Sequence, residues 1–203
     1  MSVHDARYLD LTMTAFLDGL AARERAPGGG SAAALTVAFA AGLVAMVARS
    51  SHEAWDDAAG VAAQALTLQD RAASLTRTDA EAWDDALAAL RAAADPTESE
   101  GNGARSDLDL ERKLERAAAI PLEIADLGAD TAVLAAYAGE HGDLAYRADA
   151  AAAAALAAGG ARAAAHLVEV NLGIRPGDER LARARASEKA ATEAAERLLA
   201  SIR

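Results

Sequence analysis

Residues 27–31 read Pro-Gly-Gly-Gly-Ser, and Ala32 to Ala48 follow as AAALTVAFAAGLVAMVA without one charged residue. The reading of this stretch decides the fold. A helix apolar on every side either crosses a membrane or lies at the centre of a bundle. The uncharged run is short for a bilayer, and much of it is Ala, Gly and Thr. It therefore reads as a buried central helix. The glycines before it have their own meaning. Three in a row cost backbone entropy, so they are rare in a plain connection. They let a loop turn sharply and bring backbone N–H groups close to a ligand. The helix start at Ser31 adds unpaired N–H groups and the positive end of its dipole, a setting for a carboxylate, a phosphate or developing negative charge. The simpler alternative is a tight turn with Ser31 as N-cap. A P-loop is excluded because no GK[ST] follows, and the strand–helix spacing of a dinucleotide fingerprint is missing.

Composition around this stretch supports a helical bundle. Alanine fills 61 of 203 positions, and aromatics make up 3%. Alanine is the best helix former and loses no side-chain entropy on burial. It also lets helix backbones approach closely, so dispersion contacts partly replace large side chains. The scarcity of β-branched and aromatic residues argues against a sheet. The expectation is a single all-α domain over 1–203, a bundle of about six to seven closely packed helices. There is no cysteine, which excludes a disulfide scaffold, a thiol nucleophile and a cysteine metal site. A net charge of −11 argues against nucleic acid and against an anionic membrane as partners. MSVHDARYLD at the start has no basic region followed by an apolar one, so nothing reads as a signal peptide and the expectation is a soluble cytoplasmic protein.

Punctuation then sets the elements. A first helix is expected over Leu9 to Glu24, starting near Asp10 or Thr14 and ending before Pro27. Ser50 and Glu53 form a capping-box pattern for a helix from Ser51 to Arg77. Thr78 and Glu81 offer a second box, so the chain either breaks there or continues to Ala94. Asp95 to Gly103 is the clearest loop. A helix capped by Ser106 with Asp109 runs to Glu140, with Pro121 inside it and His141-Gly142-Asp143 at its end. Leu144 to Leu172 follows, with Gly159-Gly160 as a possible break. An amphipathic surface helix, Asp178 to Ile202, closes the chain with many i,i+4 opposite charges.

Five stretches in order carry a family resemblance. They are Phe16-Leu17; Pro27 to Ser31 leading to Met46-Val47; Asp79-Ala80-Glu81-Ala82-Trp83; Ile120-Pro121-Leu122-Glu123-Ile124-Ala125; and Asp149 with Asn171-Leu172 downstream. Together they resemble the formiminotransferase-cyclodeaminase C-terminal domain family, which includes stand-alone methenyltetrahydrofolate cyclohydrolases of similar size. Arg77 departs from the family pattern, which has an acidic residue there, and Asp143-Leu144-Ala145 replaces an Asn-Pro-Asn-like run. The resemblance implies an all-helical homodimer acting on the one-carbon unit between N5 and N10 of tetrahydrofolate, as a cyclohydrolase or a cyclodeaminase. It implies no cofactor beyond the tetrahydrofolate-type substrate. Both reactions pass through a tetrahedral carbon between two nitrogens and need proton transfer, which suits carboxylates beside a cationic centre.

Asp149 is the first candidate catalytic residue, since a charge just before an alanine run is costly unless it has a task or a partner. Pairing with Arg147, or with the helix dipole, is its simpler role. Asp79 is the second. Pro27, Gly28, Gly29, Gly30, Ser31 and Arg147 are the candidate substrate-binding residues, with Arg23 and Arg25 flanking the glycines as a basic rim for folate carboxylates. Asn171 reads more simply as a helix cap near Gly173. On one straight helix it stands about 33 Å from Asp149, so the two share a site only if the helix breaks or a dimer partner supplies one of them. His166 and Glu169 are spaced i, i+3 without a second such pair, so no metal is expected. The competing reading is a catalytically degenerate helical module that binds a small anion or a partner protein.

Overall fold

The computed structural model of the chain describes residues 11–22, 27–94, 103–172 and 178–201. These form six α-helices and no strand: α1 Met13–Ala21, α2 Gly29–Ser50, α3 Ala58–Ala94, α4 Gly103–His141, α5 Arg147–Leu172 and α6 Glu179–Ser201. A single 3-10 turn, Leu144–Tyr146, leads into α5. α4 is the hub, packed by α3, α2, α5 and α6 in turn, and α2 is wedged between α3 and α5. The all-α expectation stands.

The core is built as the alanine content demands. Its largest cluster is mostly alanine from α2 through α6, with Val44, Val47, Trp55, Val61 and Leu198 as the few bulky members. Close approach shows at the glycines. A Cβ on Gly128 of α4 would lie 2.9 Å from the Ala161 Cβ and 3.1 Å from the Ala157 carbonyl of α5. One on Gly160 would lie 2.7 Å from Val37 of α2. Gly160 is thus a contact and not a break, and α5 runs through it. Gly128→Ala forces two backbones apart at about 1–3 kcal/mol, partly offset by about 1 kcal/mol of helix propensity. Thermal unfolding should show a Tm lowered by up to roughly 8 °C. Gly60→Ala, with open space around it, should leave Tm unchanged or raise it.

Several local expectations give way to tertiary bonds. α1 is capped by Thr12, whose side chain accepts from the Ala15 N–H, and not by Thr14; Asp10 lies outside the described residues. Gly28 is the N-cap of α2, so Ser31 lies inside the first turn. Ser50 is the last residue of α2, and no helix starts there. Ser51 instead donates to the Val47 carbonyl at 2.8 Å and accepts from the Asp143 N–H at 2.9 Å. It ties the end of α2 to the α4–α5 connection, and α3 begins only at Ala58. α3 passes Thr78 unbroken to Ala94, the second of the two alternatives. α4 starts at Gly103, ahead of Ser106, and contains Pro121 as expected. On α6, only Lys189–Glu193 pairs along the helix. The arginines reach across instead, Arg183 to Asp126 and Arg197 to Glu140 of α4, and Arg185 to Glu169 of α5. The loop expected over Asp95 to Gly103 falls mostly outside the described residues, as do Arg23, Arg25 and Gly173.

Candidate functional site

α2 and the Leu144–Asn171 stretch are long and apolar enough to cross a membrane by length and composition. α2 is spent on packing: its Ala33, Ala34, Val37, Ala40, Ala41 and Val44 are buried against neighbouring helices. Its first turn is where packing is interrupted. There Gly28, Gly29 and Gly30 line a cavity of about 140 Å³ with Asp79, Ala80 and Trp83 of α3 and Leu167, Val170 and Asn171 of α5.

Asp79 is held at the N-terminus of α2. The Ser31 backbone N–H donates to its carboxylate, which favours the charged form. Burial opposes this and wins, pushing the pKa from 3.8 to about 6. The Ser31 hydroxyl donates to the Thr76 carbonyl at 2.7 Å, one turn earlier on α3. Ser31 therefore ties α2 to α3 at two points instead of capping a helix. Gly30 faces the carboxyl group so closely that a Cβ there would overlap the Asp79 carboxylate oxygens. The glycine run is needed here for space. Pro27 packs on Gly19 of α1, where a Cβ would lie 3.3 Å from its ring. Of the five residues of the Pro27–Ser31 motif, the three glycines line the cavity and the outer two support it. The anion at this helix terminus is the protein's own Asp79.

Asn171 has a defined reason to be here. Its Nδ2 donates to the Ala117 carbonyl at 2.7 Å. In an α-helix that carbonyl would accept from residue 121, four positions on, but Pro121 has no N–H. Asn171 satisfies the acceptor that Pro121 leaves open, so it fastens α5 to α4 and is not a cap. Asn171→Leu should cost about 1–3 kcal/mol in denaturant unfolding, and much less in a Pro121→Ala background that restores the helical donor.

Within one chain Asp149 and Arg147 stand apart from this cavity. Both lie in the first turn of α5, while the cavity touches its last two turns. Arg147 donates to the Ser201 hydroxyl at 3.0 Å, beside the end of α6. α5 does not break at Gly159-Gly160, so one chain cannot bring Asp149 to Asp79. Trp83, Leu167 and Val170 were not among the sequence candidates. Trp83 was within reach, as the aromatic of Asp-Ala-Glu-Ala-Trp. Leu167 and Val170 carry no chemical signal. Arg77, the departure from the family pattern, is exposed and within 3.7 Å of Glu81. Among the described residues no group of three or more His, Asp or Glu could hold a metal ion. A more open cleft of about 440 Å³ lies between α3 and α4, lined by Leu68, Asp130 and Tyr137. It has no helix terminus to stabilise charge.

A closely packed helical bundle with one desolvated carboxylate against a helix N-terminus defines a class of small-molecule site. The comparisons make it particular. The family model for formiminotransferase-cyclodeaminase matches residues 12–191, and the chain belongs to this family. The fold is that of formiminotetrahydrofolate cyclodeaminase from Thermotoga maritima, with a TM-score of 0.80 at 20% identity, covering 96% of this chain and 98% of that one. No curated protein matches the chain significantly.

Proposed function

We propose that the chain acts on the one-carbon unit of a tetrahydrofolate derivative, as a 5,10-methenyltetrahydrofolate cyclohydrolase or a 5-formiminotetrahydrofolate cyclodeaminase, and that it works as a homodimer. The observation that carries this is Asp79, desolvated yet held by the Ser31 N–H in a cavity beside Trp83. Family membership and the shared fold support the substrate class.

The chemistry follows from a carboxylate with a pKa of about 6. At neutral pH it is mostly ionised, so it stabilises the cationic methenyl carbon and is basic enough to accept a proton. In the hydrolytic reaction a water adds to that carbon and Asp79 takes one of its protons; the carbon–N5 bond of the tetrahedral adduct then breaks, as a proton passes to N5 and the hydroxyl proton is lost to solvent to form the formyl group. In the deaminating reaction N10 attacks the formimino carbon. Asp79 takes the N10 proton and returns it to the amino group, whose bond to the carbon breaks to release ammonia and leave the methenyl cation. Removing an acid–base group of this kind lowers turnover by roughly 10²–10⁴-fold. A small-anion binder is the weaker reading, because Asp79 already occupies the helix terminus and would repel a second anion. The near-ultraviolet absorbance of 5,10-methenyltetrahydrofolate, followed with and without protein, tests the proposal. Accelerated loss supports a cyclohydrolase, and its appearance from the formimino substrate supports a cyclodeaminase. Neither change, with no folate binding, removes the reading.

A further inference from the structure

Asn171 lines the cavity as well as fastening α5 to α4. The cavity's 140 Å³ is well below the ~300–1,000 Å³ that encloses a whole small-molecule ligand, so it takes a reacting group and leaves the rest of the molecule outside. Among the described residues that line it, only Asp79 and Asn171 have side chains that carry a strong hydrogen-bond acceptor, since the Trp83 indole only donates. The two come from different helices, Asp79 from α3 and Asn171 from α5.

Pro121 decides which end of the Asn171 amide is left for the cavity. A side-chain amide has a nitrogen that only donates and an oxygen that only accepts. The Ala117 carbonyl only accepts, and Pro121 leaves it without its helical donor. It therefore draws Nδ2, at 2.7 Å. The reverse orientation would set two oxygens against each other. Oδ1 is thus the free atom of the pair. It has no partner among the described residues, and it is not one of the sealed unpaired atoms, which are Thr76 Oγ1 and Arg147 Nε. It stays open to a donor from a ligand.

We infer that Asn171 Oδ1 is the second acceptor of the site and that, with Asp79, it orients the water that joins the one-carbon unit or the amino group that leaves it. This rests on the folate reading. In hydrolysis one O–H of the water faces Asp79, which takes that proton, and Asn171 holds the other. The oxygen lone pairs are then left to face the methenyl carbon, and two acceptors share the positive charge that grows on the water. In deamination Asn171 holds one N–H of the amino group. The nitrogen lone pair is then free to receive the proton from Asp79 as the carbon–nitrogen bond breaks. Asn171 itself exchanges no proton in either reaction. The methenyl carbon has no O–H or N–H to give to Oδ1, whereas a formimino group has an N–H.

Pro121→Ala separates the fastening role from the chemical one. It returns a helical donor to Ala117, whose carbonyl has two lone pairs and still accepts from Asn171, so this variant alone should keep kcat within about threefold of wild type. Adding Asn171→Leu should leave helicity unchanged and Tm close to that of Pro121→Ala. Turnover should nevertheless fall by about 10–100-fold, the loss of one hydrogen bond to a group that gains charge. With 5,10-methenyltetrahydrofolate the loss should fall on kcat and leave KM nearly unchanged, and with the formimino substrate KM should rise as well. Asn171→Asp in the same Pro121→Ala background keeps an oxygen at this position and should recover most of the lost turnover. Full activity in the leucine double variant would overturn the assignment and leave the folate reading intact, and so would an aspartate variant no better than the leucine one. A wild type inactive on both folates would remove the folate reading and the assignment with it.

Discussion

Asp79→Asn is expected to lower turnover by roughly 10²–10⁴-fold and to raise the melting temperature at neutral pH. The two effects have one cause. The pKa of Asp79 is about 6 in the folded chain against 3.8 when unperturbed, so the folded state holds this proton more tightly than the unfolded state does. Stability from this group is fully present below pH 3.8 and is lost as pH rises through 6. At pH 7.5 the ionised carboxylate is a cost of about 3 kcal/mol. Asparagine keeps an oxygen to accept from the Ser31 N–H and carries no charge. Tm should therefore rise by roughly 6–12 °C at pH 7.5, and the gain should close as pH falls toward 4. Calorimetry at both pH values, beside the turnover assay, checks this. Lost activity with lowered Tm would mean a structural role for Asp79.

Gly30→Ala should be nearly silent in stability and severe in activity. Alanine is the better helix residue by about 1 kcal/mol. Its methyl group, however, takes the space of the Asp79 carboxyl group. The side chain has to rotate away, and the Ser31 N–H loses its acceptor at about 1–2 kcal/mol. These terms largely cancel, so a Tm change within a few degrees is expected. The displaced carboxylate no longer meets the substrate, so turnover should fall by about 10²-fold or more, approaching Asp79→Asn. Gly29→Ala makes the contrast, because its Cβ would meet only Leu167 at an ordinary 3.8 Å. That variant should keep most of its activity.

The all-α class was legible because alanine content and the uncharged α2 leave few alternatives. The helix ends were less legible, since Ser31 and Ser50 look like caps in sequence, whereas neither caps a helix and Ser31 and Ser51 act as cross-links in the fold. Ser31 bonds to Thr76 and Ser51 to the Asp143 N–H, each more than forty residues away. Asn171 could be placed only once Pro121 was seen to leave Ala117 without a donor, since the pairing spans two helices. Asp79 ranked below Asp149 for a similar reason. An acidic residue after Thr78 reads as ordinary helix chemistry, and its burial comes from Gly30 packing over it. Asp149 was conspicuous beside an alanine run, yet it lies at the far end of α5 from the cavity.

The central claim is that Asp79 is the proton-transfer group of a folate one-carbon site. Its most direct test is kcat/KM against pH, above the buffer rate, for the wild type and Asp79→Asn on whichever folate is turned over. The wild type should lose activity below an inflection near the pKa of about 6 of Asp79, and the variant should show low turnover with no such inflection. Wild-type turnover and the same inflection in Asp79→Asn would contradict the account.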